Sequence, residues 1–432
     1  MKKTLIIFIA CINAALAADA KTHYEIQLDS LKEDHKIMYF GEGNIPSRDS
    51  IRAMIDMFYV DQFRHFQDPR APYFLFLSKD SQLAMGIGGV VRMRGWYDWG
   101  GVIPYNGFIP YAISVPRDRV NRRKISTTPA GTALFFRVIG RNHRLGDYQL
   151  YIETNFDGYN QVGMKLKKAY ATVNDWTVGY ANSTFGDPTA FPPLIDAQGP
   201  QAEIQTTAVL VRWLHSFNRN WTMAASVEAP SSQVGFDNKT TAKLNDYFPN
   251  IATFGQYGWG ENQHIRLSGI MRVLPYQDLV NGSNESRIGW GLQLSTIFRP
   301  ADKLTIYGTA NTGRGYGSLT GDLIMTNFDL INNPNEPGKM YAPASWAWYG
   351  AVQYHFLPNL FASATIGQER FTPAHHVDPS TYKYGLYGAM NLFWDITPRV
   401  QVAAEVNLGK RQNFDGSHNY ARRACLMTQF SF

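Results

Sequence analysis

Basic side chains recur at alternate positions along several stretches of this sequence, and the spacing gives them a common chemistry. Arg92 and Arg94 are separated by one residue, and so are Lys165 and Lys167. In an extended strand, residues two apart point to the same face. The planar guanidinium of arginine donates paired hydrogen bonds to a carboxylate. Strands that align such residues therefore present a face that attracts anions.

The neighbouring hydrophobic residues show which face of each strand is polar. Val91 and Met93 share one face of residues 83–98, so Arg92 and Arg94 share the other. The same alternation places eleven basic residues on polar faces: Arg92, Arg94, Arg137, Lys165, Lys167, Arg212, Arg266, Arg272, Arg287, Arg411 and Arg423. The acids assigned to these faces are Glu153, Glu228 and Glu405. Any one arginine could instead brace the wall against a loop carboxylate, but the summed excess predicts a positive interior.

One lysine departs from this alternation. Leu166 and Tyr170 place Lys168 on the apolar face. The pattern thus predicts either a contact between subunits at Lys168 or a change of register near it.

The composition restricts the kind of protein in which these strands occur. Only 18% of the 432 residues are charged, 14% are aromatic and 37 are glycine. Disordered chains have the opposite composition, with much charge and few aromatics. Beyond the N-terminus, no apolar run approaches the roughly 20 residues of a membrane-spanning helix. A net charge of +6 is too small to imply nucleic-acid binding.

From Leu83 to Phe432 the hydrophobic pattern has a period of two, which predicts strands. Sixteen such stretches occur: 83–98, 131–141, 147–156, 163–173, 176–182, 205–214, 220–228, 251–257, 263–274, 286–298, 303–313, 345–356, 359–370, 382–395, 399–411 and 419–432. Short connections alternate with long ones at 99–130, 183–204, 229–250, 275–285, 314–344 and 371–381. This rhythm is typical of transmembrane barrels. We therefore predict an all-β fold, a transmembrane antiparallel β-barrel of sixteen strands over residues 81–432.

The strand faces favour lipid outside and water inside. Trp346 and Tyr354 share a face with aliphatic residues, whereas Gln353 and His355 occupy the opposite face. Aromatic residues at both ends of an apolar face match the girdles of membrane barrels. A soluble barrel with an apolar core is the alternative, but it would not enclose the polar faces.

The N-terminal residues differ in composition from the barrel. Lys2 and Lys3, an apolar stretch and the small residues of 15–17 predict a signal peptide at residues 1–17, rather than an anchored helix. Residues 18–80 form a short periplasmic segment, in which Ile51, Met54 and Ile55 predict a helix over about 47–65. This segment would act as a plug, a cap or an oligomerisation element.

The connection 183–204 is rich in proline, which predicts an ordered loop rather than a strand. Folded into the lumen, it would narrow the pore. We expect its acids, Asp187, Asp196 and Glu203, to face the basic wall.

Several short motifs resemble one family of porins. They are Ala169-Tyr170-Ala171, Trp176-Thr177-Val178-Gly179, the run from Ser183 to Asp187, the run from Ile195 to Pro200, Gly88-Gly89-Val90-Val91-Arg92 and the terminal Phe432. Together they resemble the DcaP-like outer-membrane porins of Gram-negative bacteria, over about residues 80–432. The resemblance implies a homotrimer of sixteen-stranded barrels, a constriction after the fifth strand and passage of small anions such as dicarboxylates. It also implies that the barrel-assembly machinery recognises Phe432. Some members carry a coiled coil ahead of the barrel, for which residues 18–80 lack the heptad pattern.

The sequence thus predicts a passive, anion-preferring outer-membrane porin, in contact with small anionic solutes and outer-membrane lipid. It contains no HExxH, Walker or paired CxxC motif, and we expect no cofactor, no metal and no enzyme activity. The alternatives are an outer-membrane barrel enzyme and a closed structural or adhesive barrel. An enzyme would need a catalytic set at the barrel rim, and a closed barrel would need matched acids and bases inside.

Overall fold

The structure is a computed structural model that describes residues 35–432 except 59–61, 69–71, 81, 143, 145, 158–161 and 261. The predicted signal peptide, residues 1–17, and the first part of the predicted periplasmic segment, residues 18–34, lie outside the described residues. None of the described helices is long and apolar enough to cross a membrane.

Most of the described chain forms β-strands. In chain order they are β1 (Lys36–Phe40), β2 (Phe74–Ser78), β3 (Leu83–Trp99), β4 (Arg123–Thr128), β5 (Ala133–Asn142), β6 (Gly146–Phe156), β7 (Met164–Val173), β8 (Trp176–Asn182), β9 (Thr207–Ser216), β10 (Trp221–Glu228), β11 (Thr241–Lys243), β12 (Asn250–Trp259), β13 (Gln263–Asp278), β14 (Ser283–Ala301), β15 (Leu304–Arg314), β16 (Ile331–Asn332), β17 (Met340–Tyr341), β18 (Ala344–Leu357), β19 (Leu360–Thr372), β20 (Tyr382–Asp395), β21 (Val400–Asn413) and β22 (His418–Ser431). The described helices are α1 (Arg48–Met57) and 3-10 turns at Pro110–Ala112, Pro188–Ala190, Gly317–Leu319 and Asp322–Met325.

Sixteen of these strands close into one antiparallel barrel: β3, β5–β10, β12–β15 and β18–β22. Each pairs with the next along the chain, and β22 pairs back with β3, where Arg422 lies opposite Trp99. The predicted sixteen-stranded barrel is confirmed. Each predicted strand coincides with one of these strands to within a few residues.

Side chains alternate between the outer surface and the interior of the barrel. On β3, Val91 and Met93 are 49% and 57% exposed outside, whereas Arg92 and Arg94 are 4% and 6% exposed inside. Large apolar residues are exposed around the whole outer surface. Such a surface is unfavourable in water and suits contact with lipid hydrocarbon.

Connections at the two ends of the barrel differ in length, as predicted. At the end that holds Phe432 and the start of β3, several connections have only two residues, at 174–175, 302–303 and 358–359. At the opposite end lie the long connections 100–132, 183–206, 229–249 and 315–343. The predicted long connection 275–285 is instead mostly strand, because β13 and β14 stay paired as far as Asp278 opposite Ser283.

The N-terminal segment packs against the short-turn end of the barrel. Strand β1 pairs with β2 in parallel, and β2 pairs with the start of β3, where Leu77 lies opposite Ala84. Helix α1 begins after Ser47, whose hydroxyl accepts a hydrogen bond from the Ser50 amide. The helix ends at Met57 rather than near residue 65. The cause is that the next residue, Phe58, is buried against β2 and its carbonyl accepts a hydrogen bond from the wall.

Candidate pore lining and constriction

Most of the predicted basic residues lie inside the barrel but are covered by other parts of the chain. Seven of them are buried: Arg92, Arg94, Arg137, Arg212, Arg266, Arg272 and Arg423. Lys167, Arg287 and Arg411 are partly exposed, and Lys165 is exposed. The buried guanidinium groups hydrogen-bond to chain segments that enter the barrel, so they anchor these segments.

The first of these segments is residues 62–68, which we call the lumen segment. Its Gln67 carbonyl accepts a hydrogen bond from Arg92 (2.8 Å), and its Phe63 carbonyl accepts one from Asn182 (2.8 Å). The Arg212 guanidinium lies 3.6 Å from the centroid of the Phe63 ring, a close cation–π contact. Just before this segment, the Phe58 carbonyl accepts a hydrogen bond from Arg137 (2.8 Å). The basic wall of β3, β5 and β9 thus holds the segment.

The last residue of the lumen segment is a carboxylate held by two lysines. The Nζ atoms of Lys167 and Lys168 lie 2.5 and 2.7 Å from the Asp68 carboxylate. Lys167 also contacts Glu153 of β6 at 2.9 Å. Although burial opposes ionisation, the two lysines hold the pKa of Asp68 well below its usual value. Burial also lowers the pKa of His65 in the same segment to about 3.

Of the two predictions for Lys168, the structure shows the change of register. Pairing between β6 and β7 shifts register, so that Glu153 lies opposite Lys168 and Thr154 lies opposite Leu166. This bulge inserts Lys167 as an extra residue. As a result, Lys168 points inward and is 4% exposed, rather than lying on the outer face.

The second segment inside the barrel is residues 183–206, which we call the constriction loop. Its Ile195 carbonyl accepts a hydrogen bond from Arg94 of β3 (3.2 Å). Glu405 of β21 accepts hydrogen bonds from the Ile195 and Asp196 amides, at 2.8 and 3.0 Å. The Gln67 side chain donates to the Asp196 carbonyl (2.7 Å), so the loop and the lumen segment contact each other.

The three loop acids do not share one environment. Asp187 contacts Arg266 (3.3 Å) and His264 (2.7 Å), and these groups hold its pKa well below the usual value despite its burial. Asp196 instead accepts hydrogen bonds from the Phe108 amide (2.7 Å) and the Tyr387 hydroxyl. Glu203 lies near the Tyr349 hydroxyl (3.4 Å). Burial raises the pKa of Glu203 well above the usual value, and the neighbouring Asp187 adds to this shift.

Sequence reasoning missed several acids of the interior. Asp98 of β3 forms a two-pronged ion pair with Arg423 (2.7 and 3.0 Å), and Glu369 of β19 is fully buried. Both lie in predicted strands in which polar and apolar residues alternate, so applying the same alternation to positions 98 and 369 would have placed these acids inside the barrel. Asp322 and Asp329 belong to the irregular connection 315–343 and follow no such pattern. The assignment of three inward strand acids was therefore incomplete.

The remaining predicted basic residues support the long connections. Arg272 contacts Asp329 at 3.2 Å and donates to the Gly315 carbonyl. Arg287 donates to the Met340 carbonyl, and Arg411 donates to the Tyr111 carbonyl at 2.6 Å. These contacts lie towards the long-connection end of the barrel.

Charge is unevenly distributed around the interior. The inward faces of β3, β5, β7 and β9, which we call the basic side, carry Arg92, Arg94, Arg137, Lys167, Lys168 and Arg212. The acids Glu369 of β19 and Glu405 of β21 lie beyond β22 from the basic side; Glu405 accepts hydrogen bonds from the Ile195 and Asp196 amides, and Glu369 accepts one from the Asp322 amide. Among the described residues, no three His, Cys, Asp or Glu side chains gather in a group that could hold a metal ion.

Comparison with known proteins finds likeness of fold rather than of sequence. No family model and no curated protein matches this chain. The crystal structure of the outer-membrane channel DcaP of Acinetobacter baumannii matches with a TM-score of 0.70 and 18% identity, over 83% of this chain and 99% of that one. An anion-selective porin from Comamonas acidovorans matches with a TM-score of 0.53 and 9% identity, over 81% of this chain and 100% of that one. The trimer form of OmpT, an outer-membrane protein of Vibrio cholerae, matches with a TM-score of 0.52 and 9% identity, over 81% of this chain and 100% of that one. The predicted resemblance to the DcaP-like group is thus confirmed at the level of the fold.

Proposed function

We propose that this protein is an outer-membrane channel through which small hydrophilic solutes diffuse passively, with anions preferred and dicarboxylates among them. One observation carries the anion preference: the basic side of the lumen already binds a carboxylate. Asp68 lies against Lys167 and Lys168 with charge-assisted contacts of 2.5 and 2.7 Å. A solute carboxylate would make the same contacts wherever the chain's own carboxylate withdraws.

The shape of the molecule supports the channel. A barrel of sixteen strands is wide enough for an aqueous path, unlike an eight-stranded barrel filled by its side chains. The constriction loop and the lumen segment narrow that path and bring it alongside the basic side. We also propose the outer membrane as the location, a homotrimer as the assembly, export by residues 1–17 and recognition of Phe432 by the barrel-assembly machinery.

A closed structural or adhesive barrel is the second candidate. The burial of seven interior arginines favours it, because a water-filled lumen would leave such side chains exposed. In that case the inward charges would serve only to hold the segments in place. The two candidates differ in whether ions cross the barrel.

The test is single-channel recording of the purified full chain in a planar bilayer under a KCl gradient. The proposal predicts discrete conductance steps and a reversal potential on the chloride side, reduced by added dicarboxylate. Reversal on the potassium side would keep the channel and overturn the anion preference. Absence of conductance from correctly folded protein would favour the closed barrel.

A further inference from the structure

The main chain of the lumen segment is held by hydrogen-bond donors of the barrel wall. Three wall side chains donate to carbonyls of the segment: Arg92 to Gln67 (2.8 Å), Asn182 to Phe63 (2.8 Å) and Arg266 to Gln62 (3.5 Å). Every peptide has such carbonyls, whatever its side chains. These contacts therefore recognise a peptide backbone rather than one particular sequence.

Two side chains of the segment add contacts that depend on residue type. The Phe63 ring lies against the Arg212 guanidinium, 3.6 Å from its centroid. Asp68, five residues later, lies between the ammonium groups of Lys167 and Lys168. The wall thus has one subsite for an aromatic ring and one for a carboxylate.

Other side chains of the segment are poorly matched to the wall. Gln62 Oε1, Arg64 Nε and His65 Nε2 are buried and, within the described part of the chain, have no hydrogen-bond partner. A buried polar atom without a partner is destabilising. The segment therefore fits the wall through its carbonyls, its ring and its carboxylate, and a peptide with other side chains at these three positions would compete with it.

The segment forms a turn whose hydrogen bonds are local. The Asp68 amide donates to the His65 carbonyl (3.0 Å), and the His65 amide donates to the Asp68 carboxylate (2.9 Å). The Gln67 amide donates to His65 Nδ1 (3.1 Å). These bonds satisfy three amides within the segment and leave carbonyls to accept from the wall. The bound shape thus needs nothing beyond residues 62–68, so a free peptide can adopt it.

We propose that the wall around the lumen segment is a binding site for short peptides that carry an aromatic residue and a carboxylate. Residues 62–68 occupy this site as a competitor built into the chain. The inference rests on the channel proposed above and names peptides as a class of its solutes. A tethered segment competes at a high effective concentration, so a peptide binds readily only when the segment leaves the site.

The experiment uses the peptide of residues 62–68, acetylated and amidated so that its only carboxylate is the Asp68 side chain. Isothermal titration calorimetry measures its binding to the detergent-solubilised full chain, and single-channel recording measures its effect on current. The variant F63A/D68N weakens the chain's own segment and leaves the wall unchanged. The control D246N/F248A removes the same residue types from exposed positions of the connection 229–249.

We expect the peptide to bind F63A/D68N at least about tenfold more tightly than it binds the unmodified chain or the control, because the competing segment is weakened. It should also reduce the raised conductance of F63A/D68N to the level of the unmodified chain. F63A alone covers the case in which F63A/D68N fails to fold.

Substituted peptides test the two subsites separately. A peptide with alanine in place of Phe63 loses the cation–π contact, and one with asparagine in place of Asp68 loses the charge-assisted contacts. Each should bind F63A/D68N about tenfold more weakly than the parent peptide does. A peptide of the same composition in scrambled order should bind no more tightly than these.

Two results would overturn the inference: equal binding of the parent, substituted and scrambled peptides, or no binding to F63A/D68N. A raised conductance of F63A/D68N that the peptide leaves unchanged would also overturn it, while the channel proposal would stand. Peptide binding by a chain that conducts no ions would have the opposite meaning. It would support the peptide site and contradict the channel.

Discussion

The constriction loop and the lumen segment both lie inside the barrel, but different interactions hold them there. The loop buries seven apolar residues: Phe185, Ala190, Phe191, Leu194, Ile195, Ala202 and Ile204. These pack against inward residues from β3 round to β22, so the loop belongs to the core of the protein. Removing it from the barrel would expose most of that core.

The lumen segment has fewer apolar anchors. Phe63 packs against Ala224 and Phe254, and Phe66 is only half-buried. Phe66 also packs edge-to-face against Phe393, and the centroid of the His65 ring lies 3.9 Å from that of Phe191 in the constriction loop. The remaining contacts are the Asp68 ion pairs, the cation–π contact of Phe63 and the hydrogen bonds of Gln67. Segments with few buried apolar contacts open at lower cost. The comparison therefore indicates a fixed constriction and a displaceable segment, and the predictions below test that difference.

The largest effect is expected from Phe191→Ala in the constriction loop. Phe191 is 2% exposed and packs with Phe108, Leu194 and Tyr387. The cavity should lower the free energy of unfolding by about 3–5 kcal/mol. Urea-induced unfolding in detergent measures this change. The matched control is Phe248→Ala, at a half-exposed site in the connection 229–249, and a similar loss there would argue against the loop as core.

The next effect is a pH dependence carried by Asp322, which anchors the connection 315–343 through the Tyr382 hydroxyl (2.7 Å). Burial raises the pKa of Asp322 from 3.8 to about 6. Because the pKa of Asp322 is higher in the folded chain, the contribution of its protonated carboxyl group to stability is fully present below pH 3.8. That contribution is lost as the pH rises through about 6, where the buried group must ionise. Asp322→Asn should therefore leave stability unchanged near pH 3.5 and raise it at pH 8, by about 2–3 kcal/mol.

Thermal unfolding at the two pH values measures the effect of Asp322→Asn. The exposed Asp246→Asn serves as the control. Equal stability of the Asp322 variant and the unmodified chain at pH 8 would show that ionisation of the buried Asp322 carboxyl group does not lower the free energy of unfolding.

Removing the two lysines that hold Asp68 should release the lumen segment. In K167Q/K168Q the buried carboxylates of Asp68 and Glu153 lose their cations, at a cost of about 2 kcal/mol, since Lys167 is itself partly exposed. We expect the segment to leave the lumen rather than keep these carboxylates buried without their cations, so single-channel conductance should rise and the free energy of unfolding should fall by no more than this cost. K303Q, in an exposed turn, provides the control. Unchanged conductance with a lower unfolding temperature would make the lumen segment part of the core.

The smallest effect concerns selectivity. R92A/R94A removes two charges of the basic side and the hydrogen bonds to Gln67 and Ile195. The reversal potential under a KCl gradient should move towards zero, because the positive field along the path is weaker. R141A/R219A removes two exposed charges at the short-turn end, one at the end of β5 and one in the turn after β9. An equal shift of the reversal potential in both variants would mean that selectivity depends on total charge. That result would contradict the basic side as the origin of the selectivity.

The sequence predicted the barrel well because strand alternation is a local pattern. The faces of Val91 and Arg92 can be assigned from their immediate neighbours, and the high proportion of proline identified the constriction loop. Alternation alone placed Lys168 on the outer face, because a single bulge residue reverses the alternation without changing composition; the change of register given as an alternative is what the structure shows. A plug was among the expected roles of residues 18–80, but the part that enters the barrel was not identified, since residues 62–68 have no periodicity and their partners lie 25 or more positions away. The acids of the connection 315–343 were missed for the same reason, because the Asp322 amide meets Glu369 only in the folded chain.

The most direct test of the difference between the two segments is amide hydrogen exchange, compared between the unmodified chain and Asp68→Asn. The account predicts slow exchange at residues 187–204 in both proteins, and faster exchange at residues 62–68 that Asp68→Asn accelerates further. Asp415→Asn, in an exposed turn, should change neither region. Equal protection of the two segments, unaffected by Asp68→Asn, would contradict the account of a fixed loop and a displaceable segment.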